Sequence, residues 1–145
     1  MDLAAWLERL EQLHPSAIDL GLARCGEVAR RLELLDTTVT SITVAGTNGK
    51  GSTVAVMEAI LCARGERVGA FTSPHLVRYN ERIRVEGVEV SDALIVEAFE
   101  AIEKARSDIS LTYFEFNTLA ALWIFKKLDV SCQRLEVGVG GRFDA

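Results

Sequence analysis

The stretch Ser41–Met57, SITVAGTNGKGSTVAVM, decides how the rest of this 145-residue chain is read. A β-branched apolar run leads into Gly46-Thr47-Asn48-Gly49-Lys50-Gly51-Ser52, and small residues at helical spacing follow at once. Strand, glycine-rich turn and helix start form the geometry that offers backbone N–H groups to phosphate oxygens. From Thr37 to Met57 the only formal charge is Lys50, so one cation stands beside the positive end of a helix dipole. The usual phosphate loop reads GxxxxGK[ST]; here the spacing is shorter, with Gly51 between Lys50 and Ser52. Glycines at 46, 49 and 51 let the backbone approach phosphate closely, Lys50 can reach the β and γ phosphates, and the Ser52 hydroxyl lies near them. The plain alternative is a glycine-rich hairpin or an unrelated strand–helix turn.

Composition narrows the setting. With 49% hydrophobic residues the chain can build one domain with a real core. Sixteen basic residues against 21 acidic ones give a net charge of −5, and no basic cluster interleaves with aromatics, so no nucleic-acid surface is expected. Cys25, Cys62 and Cys132 are widely spaced and form no CxxC pattern, which reads as reduced thiols in a cytoplasmic protein. The start, MDLAAWLERLEQLHP, lacks a basic signal-peptide region, and no apolar run approaches membrane-spanning length, so no membrane partner is expected.

Outward from the glycine turn, periodicity predicts the remaining elements. Ala4, Leu7, Leu10 and Leu13 mark a first helix ended by His14-Pro15, and Ser16–Gly21 reads as a loop. A second helix is predicted over Leu22–Leu34, with Arg24, Arg30 and Arg31 on its solvated side. Ile42–Ala45 is a buried strand; the helix after the turn carries Val54, Met57 and Ile60 and stops at Gly65. Arg67–Phe71 is the next strand, so strand–helix–strand order argues for a parallel sheet. Arg82–Val90 alternates around Glu86-Gly87 and predicts a hairpin. Ser91-Asp92 caps a helix to about Arg106, Thr112 caps another through Leu128, and Ser131–Val137 forms a third core strand.

AGTNGKGS, then TSPHLVRYNERIR, then LEVGVGGRFDA together resemble the Mur-ligase-like amide synthetases, and within them the dihydrofolate synthase/folylpolyglutamate synthase family. HPSAIDLGLAR and ISLTYFEFNTLAALWIF favour the folate branch over the cell-wall branch. The resemblance runs from about Trp6 to Ala145, with its blocks in family order. It implies an α/β fold: a P-loop-containing, mostly parallel sheet with helices on both faces, like a Mur ligase central domain, here truncated. Residues 1–145 would be an incomplete amino-terminal ATP-binding domain, without the carboxy-terminal domain that supplies adenine and glutamate contacts, and without the family's histidine metal ligand and modified lysine, which fall beyond Ala145.

The implied reaction is ATP-dependent amide ligation, adding L-glutamate to dihydropteroate and to folate polyglutamate tails. ATP would bind at Gly46, Thr47, Asn48, Gly49, Lys50, Gly51 and Ser52, with Lys50 catalytic. Ser73 and Glu136 would hold Mg²⁺. By residue type alone, Ser73-Pro74 is a turn former, and Glu136 could face outward on an alternating strand with Arg134 likewise exposed. The pterin or folate substrate would meet Ala17, Ile18, Asp19 and Leu20, then Thr112, Tyr113, Phe114 and Glu115, then Phe143, Asp144 and Ala145. Asp19 reads equally as an Asx turn, and Thr112 with Glu115 as a capping box, a role compatible with substrate contact. His75 reads as structural, and Arg82 as a substrate-carboxylate contact or an exposed strand-edge charge. A monomer acting on small molecules is the expectation. The competing classes are a Mur-type cell-wall ligase and a non-catalytic ATP-binding module.

Overall fold

The computed structural model describes residues 2–12, 22–34, 40–44, 56, 60, 63–72 and 77–136. They fall into two compact units, Met1–Thr37 with Ser91–Ile124 and Thr38–Val90 with Phe125–Ala145.

The second unit carries the sheet. β1 (Thr40–Val44) and β2 (Val68–Phe71) each pair in parallel with β5 (Cys132–Glu136). β2 is buried at every position, as expected for a strand covered on both faces. Gly69 is required there by packing: a Cβ at this position would lie 2.5 Å from Cδ1 of the buried Phe125 ring. β3 (Ile83–Val85) and β4 (Val88–Glu89) form the predicted hairpin. Its two central residues, Glu86 and Gly87, have φ of 54° and 78°, the pair of positive angles that defines a type I′ turn. β3 also pairs antiparallel with β2, so the hairpin extends the parallel strands into a five-stranded mixed sheet of order β1-β5-β2-β3-β4.

A 3₁₀ turn, Tyr79–Arg82, leads into β3. The buried Asn80 amide donates to the Val90 carbonyl at 2.8 Å, closing the base of the hairpin. Arg82 is not the exposed edge charge that was one of its two readings: it is 8% exposed, with its guanidinium 5.6 Å from the Tyr79 ring centroid. Of the helix expected after the glycine turn, residues 56, 60 and 63 are described and are helical. Gly65 follows with φ of 86°.

The first unit is helical. α1 (Leu3–Glu11) starts at Asp2, whose carboxylate accepts from the Ala5 N–H at 2.9 Å. α2 (Leu22–Arg31) stops short of the predicted Leu34 because Glu33 turns left-handed at φ 59°. The Leu34 N–H then reaches back to the Ala29 carbonyl at 2.9 Å, satisfying one of the last helical acceptors. α3 (Asp92–Arg106) is capped by Ser91 as predicted, and it buries Ile95, Ala98, Phe99 and Ile102 on one face. α4 (Tyr113–Lys127) brings Phe116 to the same core. Trp6, Phe99 and Phe116 pack with ring centroids 5.7 to 6.2 Å apart. Burying Phe99 and Phe116 contributes about 2–3 kcal/mol each.

Candidate functional site

Register sets out the candidate nucleotide site. Val44, the last residue of β1, lies opposite Glu136, the last of β5, and Phe71, the last of β2, lies opposite Leu135. The carboxyl ends of three parallel strands therefore meet at one sheet edge, where ligands bind in open α/β folds. Covalent connection does the rest. Gly46 is two residues beyond β1, Ser73 is two residues beyond β2, and Glu136 ends β5. Three stretches separated in sequence start from adjacent strand ends. The turn residues Gly46, Thr47, Asn48, Gly49, Lys50, Gly51 and Ser52 themselves, and Ser73, lie outside the described residues, as does the side chain of Glu136.

By residue type alone, a hydroxyl such as that of Ser73 and a carboxylate such as that of Glu136 are oxygen donors of the kind Mg²⁺ takes from proteins. The described residues hold no cluster of three or more histidine, cysteine or acidic side chains suited to a metal. Arg134 is not exposed as the alternating-strand alternative has it: it is 2% exposed, and its Nε and Nη1 find no hydrogen-bond partner among the described residues.

The stretch Thr112–Glu115 is described in full and belongs to the helical unit. Thr112 is buried, its hydroxyl accepts from the Glu115 N–H at 3.1 Å, and Glu115 Oε1 accepts from the Thr112 N–H at 2.8 Å. This reciprocal capping box starts α4 and engages both polar side chains. Between them stand Tyr113 and Phe114, half-buried, with ring centroids 6.3 Å apart in an edge-on arrangement. The flat apolar surface of this stretch is thus its two rings. The other substrate candidates, Ala17, Ile18, Asp19 and Leu20, and Phe143, Asp144 and Ala145, lie outside the described residues.

Arg24 does not share the solvated face that helical periodicity predicts for it: its side chain is 22% exposed and reaches the Ser110 carbonyl at 2.7 Å and Glu115 at 3.4 Å. Arg30 is the solvated arginine, bound in a fork to Glu27. No local signal separates the two, because only the tertiary neighbour of each face decides. Cys25 sits in the same surroundings. Burial first, and the Glu115 charge second, push its thiol up from 9.0 to about 11, with Arg24 opposing.

No protein-family model matches the chain. Over 143 residues it is 54% identical to the dihydrofolate synthase/folylpolyglutamate synthase of Escherichia coli (strain K12), covering 99% of this chain and 34% of that protein. The solved structure of E. coli FolC in complex with DHPP and ADP superposes with a TM-score of 0.93 at 54% identity, covering 100% of this chain and 35% of the other. The bifunctional folylpolyglutamate synthase/dihydrofolate synthase from Yersinia pestis, complexed with AMPPNP and a Mn ion, gives 0.93 at 55% identity with the same coverage. The chain spans about a third of the length of the curated relatives it matches.

Proposed function

We propose, from homology along the whole chain to the amino-terminal third of dihydrofolate synthase/folylpolyglutamate synthases, that these residues supply the nucleotide- and pterin-binding part of an ATP-dependent carboxylate–amine ligase. The observation that carries the reading is the strand-end register, which starts the glycine turn, the Ser73 loop and Glu136 from one sheet edge. Backbone N–H groups of residues 46–52 hold the phosphates of ATP, and Lys50 places its charge beside the γ phosphate. Ser73 and Glu136 would hold Mg²⁺, which when bound neutralises phosphate oxygens. The capping box at Thr112 and Glu115 fixes Tyr113 and Phe114 as an apolar wall for the pterin.

The reaction is then positioning plus electrostatics. A carboxylate oxygen of dihydropteroate, or of the γ-carboxyl on a folate glutamate tail, attacks the γ phosphorus, and the bond to ADP breaks. The α-amine of L-glutamate attacks the acyl carbon of the resulting acyl phosphate. The C–N bond forms, phosphate departs with the C–O electron pair, and the amine proton passes to solvent. No protein nucleophile takes part. Adenine and L-glutamate contacts come from outside these 145 residues, in keeping with relatives about three times as long. The unpaired thiols of Cys25 and Cys132 support a reducing, cytoplasmic setting.

The test is ADP release coupled to dihydropteroate and L-glutamate, run beside thermal shifts with Mg-ADP. We expect Mg-ADP to raise the melting temperature and Lys50→Ala to abolish that rise. A full shift retained by Lys50→Ala removes the nucleotide reading. Turnover by the 145 residues alone removes the dependence on outside contacts.

A further inference from the structure

The guanidinium of Arg24 holds both ends of the segment that carries the candidate pterin wall. Arg24 is the third residue of α2, the helix that follows the first substrate stretch, Ala17–Leu20. Its Nη1 donates to the Ser110 carbonyl at 2.7 Å and its Nη2 to Glu115 Oε1 at 3.4 Å. The same Glu115 oxygen accepts from the Thr112 N–H at 2.8 Å. One carboxylate is thus shared between the helix start and the arginine, and Tyr113 and Phe114 lie between the two anchored positions. The backbone that carries both rings is therefore held at the helix cap and at the arginine contact. The side chains of Arg24 and Glu115 are 22% and 15% exposed, so their pairing is partly shielded from water, while the bond to the Ser110 carbonyl lies at the surface.

From this geometry we infer that Arg24 is a positioning residue for pterin binding: it presets the rings of the second stretch against the helix that begins after the first. The inference rests on the pterin assignment proposed above. Presetting moves the ordering cost from the binding step to folding, so it shows as ligand affinity. A planar fork satisfies two acceptors at once, while a lysine ammonium on a flexible stem holds them less well.

Arg31, on the same helix, supplies the internal comparison. It also bonds across to α3, donating to the Ala105 carbonyl at 3.0 Å, and it pairs with Glu27, but it makes no contact with residues 110–115 in the described structure. Loss of Arg31 therefore reports what general anchoring of α2 contributes.

The experiment measures calorimetric binding of dihydropteroate and, separately, of Mg-ADP to the full chain, for wild type, Arg24→Gln, Arg24→Lys and Arg31→Gln. Arg24→Gln is expected to weaken dihydropteroate about tenfold while Mg-ADP stays within about twofold. Arg24→Lys should fall between, and Arg31→Gln should leave both ligands unchanged. Should Arg24→Gln fail to fold, Arg24→Lys carries the same comparison of the two ligands. Unchanged dihydropteroate affinity in the Arg24 variants overturns the positioning role, as does an equal loss of both ligands. A wild type that binds Mg-ADP but not dihydropteroate overturns the pterin assignment, and the positioning role with it.

Discussion

Glu103 shows how a single residue's protonation links to folding. Burial works to raise its pKa, but hydrogen bonds from Arg106 at 2.7 Å and Arg9 at 2.7 Å, reinforced by both charges, leave it below the usual 4.5. A carboxyl depressed in the folded state stabilises above its unfolded pKa and loses that contribution as pH falls below about 4.5. A melting-temperature series across acid pH should therefore slope more steeply for wild type than for Glu103→Gln. Equal slopes would mean the Arg9–Glu103–Arg106 cluster adds nothing. Arg134 poses the opposite case, a buried cation on β5 with two nitrogens that find no acceptor among the described residues. Replacing such a group by an apolar side chain of similar length removes a desolvation penalty, so Arg134→Met should gain about 1–3 kcal/mol in a urea titration. A loss instead would reveal an acceptor outside the described residues.

At the scale of elements, local rules were legible and long-range ones were not. Ser91 before α3, Thr112 with Glu115 before α4, and Glu86-Gly87 inside the hairpin each satisfy backbone needs within four residues, and each appears where the sequence places it. Thr112→Ala should accordingly lower stability by about 0.5–2 kcal/mol by chemical denaturation. The Thr112→Ser variant, which keeps an acceptor, should recover most of that loss. Arg24 is the converse case: it looks like a solvated charge by periodicity, and Ser110 and Glu115, distant in sequence, make it partly buried. Arg82 and Arg134 each carry an exposed alternative, which their burial removes. The glycine turn was readable as a phosphate motif because strand, turn and helix are contiguous. That β1, β2 and β5 end at one edge depends on β5 lying between β1 and β2, which no local pattern encodes.

For the molecule as a whole, the proposed nucleotide and metal sites start from three aligned strand ends, so under that proposal the two ligands bind jointly. At a ligand concentration a hundredfold above Kd, binding stabilises by about 2.7 kcal/mol. Chelating divalent metal should remove most of the ADP-dependent rise in melting temperature, and adding Mg²⁺ or Mn²⁺ back should restore it. A rise indifferent to chelator would take Ser73 and Glu136 out of the site. The strand order has one more consequence, for the chain as it is made. Gln133 bonds Ser41 across 92 positions, and β5 pairs with both β1 and β2. Synthesis delivers the two outer members of this parallel trio first and the middle one last. Until residue 136 has left the ribosome, β1 and β2 each present an edge with no partner strand, and a nascent chain paused earlier is most exposed to aggregation there.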